Sequence, residues 1–240
     1  MENKKKKILI ITILLMLIIS IIYLVYPKKE QKIDVDIERN NNITNPINYK
    51  EEIDKLKQQY NNNDIVGILS FENTDYTSPI MQGLDNDYYL NHTPDKKENY
   101  MGSIYLDYRV DIDSSKKLLI FGHNSSNVDM PFKILENYYD EEYYHNHKHI
   151  YITTNTTKKE YEIFSVHIET TDFTYMNINF TNDEEYLNHI NNLKEKSMYN
   201  SNLELTKDDE ILLMQTCSTH KDYQNYDKKY LLIIAKRIYN

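Results

Sequence analysis

Residues Ile211-Leu212-Leu213-Met214-Gln215-Thr216-Cys217 form a short apolar run that ends on a thiol, and a polar stretch, Ser218 to Lys229, follows at once. A run of this length, bounded by a turn-like segment, predicts a buried strand. The next apolar run, Tyr230-Leu231-Leu232-Ile233-Ile234-Ala235-Lys236-Arg237-Ile238, predicts another. Strand alternation puts Leu231, Ile233, Ala235 and Arg237 on one face, with Leu232, Ile234 and Lys236 on the other.

Working outward, further runs rich in Ile, Val, Tyr and Phe predict strands at Ile65–Phe71, Pro79–Met81, Ser103–Tyr108, Leu118–His123, Ile150–Thr154 and Glu160–Ile168. Helical spacing of Ile53, Leu56 and Tyr60 predicts a short amphipathic helix over 48–62. Short helices are expected at Asp85–Asn91 and Pro131–His145. A longer one is expected at Asp183–Lys196, capped by Thr181 or Asn182, with Glu184 and Glu185 in its first turn and Tyr186, Leu187, Ile190 and Leu193 on its apolar face. About eight strands with few helices make the chain mainly β, and a closed barrel or a sandwich is the expected architecture.

The N-terminus has a different character. Lys4 to Lys7 precede an apolar run from Ile8 to Tyr26, broken only by Thr12 and Ser20 and closed by Pro27, Lys28 and Lys29. Its length, about 19 residues, fits one membrane-spanning helix. The excess of lysine on its N-terminal side places residues 1–7 in the cytoplasm and everything after the span outside. Tyr23 to Tyr26 stand where a cleaved signal peptide needs small residues, so an uncleaved anchor over 8–26 is expected. Residues 27–47 read as a polar stalk, and 48–240 as one extracellular domain large enough for its own core. The formal charge of −9 excludes a polyanion binder, which needs clustered Lys and Arg.

Cys217 is the single cysteine, so no intramolecular disulfide can form. A lone thiol outside the cell is either a core residue or a reactive one, and the residues alone leave both open. Leu118-Leu119-Ile120-Phe121-Gly122-His123 brings a histidine to a strand end, followed by the polar Asn124 to Asn127. Arg237, ending an apolar face, needs a cleft or an anion. Thiol, imidazole and guanidinium together suit acyl transfer. The thiolate attacks a carbonyl, the histidine moves protons, and the guanidinium meets charge on the carbonyl oxygen. His145, His147 and His149 alternate, but no cysteine or carboxylate stands at ligand spacing, and no metal site is expected.

At these residues the chain resembles the sortases, specifically class B. The segment Leu213-Met214-Gln215-Thr216-Cys217 is similar to the family's Thr-Leu-x-Thr-Cys, departing at two positions. Phe121-Gly122-His123 is similar to its Tyr-Gly-His, and Arg237 to its arginine in the final strand. Val66-Gly67-Ile68, Asp85 to His92 and Gly102 to Arg109 resemble further segments, although Val110 stands where class B chains often have Asn. The helix at Asp183–Lys196 is similar to the extra helix of class B.

The resemblance covers about Asn48 to Tyr239. It implies an eight-stranded sortase-type barrel with an N-terminal helix and an extra helix before the nucleophile strand. It also implies Cys217 as nucleophile, His123 as general acid/base and Arg237 at the oxyanion. Candidate substrate-binding residues are Thr216, Ser218 and Asn124. Asp222 and Asp227 lie in the loop that follows. The implied substrates are secreted proteins with a C-terminal motif similar to Asn-Pro-x-Thr-Asn. The implied acceptor is an amine of a peptidoglycan precursor or of a pilin lysine, and no cofactor is needed. Two competing expectations are an anchored binding domain with a buried Cys217 and an L,D-transpeptidase. The latter keeps its histidine and cysteine close in a Gly-rich segment, unlike His123 and Cys217.

Overall fold

The computed structural model describes residues 48–239. Eight strands close into one barrel: β1 (Ile65–Phe71), β2 (Thr77–Met81), β3 (Tyr105–Leu106), β4 (Lys117–Phe121), β5 (His149–Thr153), β6 (Lys158–Glu169), β7 (Ile211–Cys217) and β8 (Tyr230–Ile238). Their order around the barrel is β1-β2-β3-β4-β7-β8-β6-β5. Two neighbour pairs are parallel, β2 with β3 and β4 with β7, and the others are antiparallel. Helix α1 (Tyr49–Tyr60) precedes the barrel, α2 (Glu141–Asn146) follows β4, and α3 (Asp183–Glu195) lies between β6 and β7.

The aliphatic runs of β4, β7 and β8 follow from burial on both faces. Leu212, Met214, Leu231, Ile233 and Ala235 fill the barrel interior with Leu118 and Ile120. Ile211, Leu213, Leu232 and Ile234 face outward, where Ile53 of α1 and Tyr186, Ile190 and Leu193 of α3 cover them. A strand covered on both sides has no need of polar alternation. Each such side chain contributes about 1.5–3 kcal/mol by leaving water.

Helix α3 begins where Asn182 accepts a hydrogen bond from the Glu185 amide at 2.9 Å. Helix α1 is capped likewise by Asn48 and ends at Asn61, which takes a left-handed conformation (φ 48°). Four expected elements are shorter or divided. The helix expected at Asp85–Asn91 is a single 3-10 turn, Tyr88–Leu90, because the Asp85 carboxylate captures the Asp87 and Tyr88 amides in a turn of its own. The helix expected at Pro131–His145 is a 3-10 stretch, Lys133–Tyr139, and then α2. Asp140 is extended between them (φ −93°, ψ 124°), and its side chain caps the Tyr143 amide. Ser103–Tyr108 pairs only over Tyr105–Leu106, and β4 stops at Phe121, two residues before His123.

Among the described residues no helix is long and apolar enough to cross a membrane. The basic tail 1–7, the expected span 8–26 and the stalk 27–47 lie outside the described residues.

Candidate active site

The parallel register of β4 and β7 assembles the site. Phe121 lies opposite Gln215, so two further residues along each chain lead to His123 and Cys217 at the same end of the barrel. Adjacent strands run about 4.8 Å apart. Both residues line one cleft of roughly 340 Å³, with Leu90, Tyr105, Met176, Gln215, Thr216 and Tyr230 among its other walls. Gly122, beside His123, lets the Phe132 ring pack closely under this end of the strand: a Cβ there would meet the ring at 2.8 Å.

Cys217 is exposed, which overturns the alternative of a thiol sealed in the core. The groove around the sulfur still strips away water. That desolvation pushes the thiol above its ordinary pKa, while the charge of Lys229 pulls it back. The His123 ring is half-buried, and its Nε2 lies 2.8 Å from the Leu90 carbonyl oxygen. A carbonyl only accepts, so Nε2 carries the hydrogen of that bond and Nδ1 is left to exchange protons.

Three expected substrate contacts are occupied within the protein. The Asn124 carboxamide donates to the Cys217 carbonyl at 3.0 Å, and the Thr216 hydroxyl donates to the Gly122 carbonyl at 2.8 Å. These bonds tie the ends of β4 and β7 together. Ser218 is buried, with its hydroxyl 2.8 Å from that of Tyr139. Thr216 still lines the cleft; Asn124 and Ser218 do not. His145, His147 and His149 take separate partners, respectively Glu141, the Tyr143 carbonyl and Glu160.

The structure does not bring Arg237 to this cleft. Strand β8 runs antiparallel to β7, so Tyr230 is opposite Cys217 and Lys236 is opposite Ile211. Arg237 is seven residues farther along, roughly 23 Å of strand. There its guanidinium donates to Glu210 Oε2 at 2.6 Å and sits over the Tyr239 ring, 4.6 Å from its centre. Glu210 also accepts from Lys159 at 2.8 Å and from Tyr161 at 2.5 Å. Arg237 therefore belongs to an ion cluster at the far end of the barrel.

The positive charge that draws the Cys217 thiol downward is not that of Arg237 but that of Lys229. Its carbonyl accepts from the Ser218 amide at 2.9 Å, and its ammonium donates to the Tyr226 carbonyl at 2.9 Å. A signal for it did exist. The short 218–229 connection makes β7 and β8 neighbours running in opposite directions, so the start of β8, not its end, faces the thiol.

The family model described as the sortase domain matches residues 69–238. Sortase B of Listeria monocytogenes is 35% identical over 164 residues, covering 68% of this chain and 66% of that protein. Sortase B of Staphylococcus aureus is 28% identical over 214 residues, covering 89% and 83%. Among solved structures, a mutant form of Clostridium perfringens sortase B superposes with a TM-score of 0.72 at 26% identity, covering 82% of this chain and 92% of that one. A Staphylococcus aureus sortase B–substrate complex gives 0.70 at 28% identity, covering 79% and 85%. With the exposed Cys217 and His123 on one cleft of a closed eight-stranded barrel, these similarities lead to one conclusion: the chain belongs to the sortase family of cell-wall cysteine transpeptidases, and within it to class B.

Proposed function

We propose that the protein cleaves a C-terminal sorting motif similar to Asn-Pro-x-Thr-Asn on secreted proteins and joins the new carboxyl end to a cell-wall amine. Residues 48–240 form the catalytic domain outside the cell, held to the membrane by the span 8–26. The single observation that carries this reading is the parallel pairing of β4 and β7, which delivers His123 and Cys217 to one cleft.

The Cys217 thiolate attacks the backbone carbonyl carbon of the motif's Thr. The C–N bond breaks, the leaving amine takes a proton from His123, and the acyl group remains on sulfur as a thioester. An incoming amine then attacks that carbonyl and gives its proton to His123. The new amide leaves as the thiolate is restored. Lys229, in place of Arg237, supplies the positive charge that favours thiolate and the oxyanion.

Cleavage of an internally quenched Asn-Pro-x-Thr-Asn peptide, with x varied, tests the reading. Cys217→Ala should abolish turnover, and His123→Ala should reduce kcat at least about a hundredfold. Full turnover by Cys217→Ala would remove the nucleophile assignment.

A further inference from the structure

One wall of the cleft has no strand to hold it. Met176 lines the cleft and ends a single 3-10 turn, Phe173–Met176, in the connection between β6 and α3. Around it, three consecutive carbonyls are each held by a side-chain cation. Lys117, the first residue of β4, donates to Tyr175 O at 2.6 Å and to Asn177 O at 2.8 Å. Arg109 reaches Met176 O at 3.3 Å. Arg109 is itself fixed by two bonds to the fully buried Asp107 carboxylate, at 2.9 and 2.7 Å. The remaining Lys117 donor meets His189 Nε2 of α3 at 2.8 Å. The same segment is pinned to β7, where the Tyr175 hydroxyl donates to Gln215 at 2.9 Å, two residues before Cys217.

Lys117 is 2% exposed and is followed along β4 by four buried apolar residues. Its hydrogen-bond partners are two carbonyls and an imidazole, with no carboxylate among them. Burying an ammonium without a counter-charge costs stability that an apolar residue at this position would not. The arrangement spends that stability on the placement of one loop.

We propose that Lys117, assisted by Arg109, is a positioning residue that sets the Met176 wall of the cleft and so governs binding of the sorting peptide. This rests on the reading of the cleft as the peptide groove. A pH dependence follows. Burial first, and the Arg109 charge second, bring Lys117 down to about 7. The groups that face it are Arg109, already paired with Asp107, and His189, which burial and Lys117 push down to about 4 and which is therefore neutral. As pH rises through about 7, the ammonium becomes an amine with one donor fewer, its bonds lose their charge assistance, and the wall loosens.

The test is steady-state cleavage of an internally quenched Asn-Pro-Ala-Thr-Asn peptide by the full-length chain. Lys117→Met should raise KM about tenfold below neutral pH and leave kcat within about twofold, the signature of lost binding without lost chemistry. Alkylation of Cys217 by iodoacetamide, which needs no peptide groove, should be unchanged. Wild-type KM should climb as pH passes about 7 while that of Lys117→Met stays flat. Arg109→Gln, altered at a partly exposed side chain, should raise KM about threefold and carries the test if Lys117→Met does not fold. Cleavage by the wild type with unchanged KM in the variants overturns this inference alone. A wild type that is alkylated yet cleaves no sorting peptide overturns both it and the sorting-motif reading.

Discussion

At the scale of single residues, the sulfur of Cys217 sits between two opposed influences. Desolvation by the cleft walls disfavours the thiolate, and the Lys229 charge favours it, with desolvation the larger. The thiol is therefore raised above its ordinary value, and at neutral pH the thiolate is the minor form. The rate of iodoacetamide alkylation, followed against pH, should inflect above the midpoint of a free cysteine. Lys229→Met should move that inflection higher still, because the charge it removes is the one that lowers the thiol. An inflection left in place would exclude Lys229 from the site. Asn124 and Thr216 act on the backbone, joining the ends of the two strands that lead to His123 and Cys217.

At the scale of elements, α3 is the piece that covers the outward face of β7 and β8. Ile190, fully buried, packs in that outer cluster. Ile190→Ala should cost about 2–4 kcal/mol in denaturant unfolding, the usual range for a large aliphatic truncated in a core. A loss below about 1 kcal/mol would mean that the helix is only loosely held.

The helix is also fastened at its C-terminal end, where the Lys196 ammonium lies 2.6 Å from both Glu169 and Asp172. This pairing holds both carboxylates below their ordinary range, against the desolvation that pushes Glu169 upward. Folded-state values below the unfolded ones mean that the unfolded chain binds more protons in acid. The stabilisation is complete above the unfolded carboxylate values and is lost as pH falls through the folded ones. Lys196→Met should lower the Tm near neutral pH, with the deficit shrinking in acid. A deficit constant with pH would show that the lost contribution is packing alone.

At the scale of the whole molecule, the barrel has two chemically distinct ends. One carries Cys217, His123 and Lys229. The other carries the Glu210 cluster, in which Lys159, Tyr161 and Arg237 converge on one buried carboxylate. Strand β8 joins the two, with Tyr230 beside Cys217 and Arg237 at the far end. Substitutions at its ends should therefore separate activity from stability. Arg237→Met should reduce stability by about 2 kcal/mol, the scale of a hydrogen bond to a charged group, and leave kcat/KM within about threefold. Lys229→Met should do the reverse, with kcat/KM down about a hundredfold and Tm little changed. A crippled Arg237→Met of normal stability would show that charge at the far end reaches the chemistry.

The chain's own order determined a good deal. Ile65–Phe71, Ile211–Cys217 and Tyr230–Ile238 were legible as strands to the residue, because each is a short run dominated by aliphatic side chains and bounded by polar, turn-forming segments. The placement of a thiol and an imidazole just where two such strands end was equally visible. Helix α3 was readable from its cap and its periodicity. Hidden from the sequence was how strands distant along the chain meet, above all the parallel pairing of β4 with β7. Arg237 and Lys229 are both cations near the ends of one apolar run, and the short 218–229 connection is the one feature of the sequence that distinguishes them. Only the antiparallel pairing of β8 with β7, alongside the parallel pairing of β7 with β4, sends one to the sulfur and the other to Glu210. The clamp on residues 175–177 was invisible for the same reason: its donors lie about 60 residues away along the chain. Local propensity and burial act along the sequence, but a site of converging charges is fixed by strand register and barrel closure, which are properties of the folded whole.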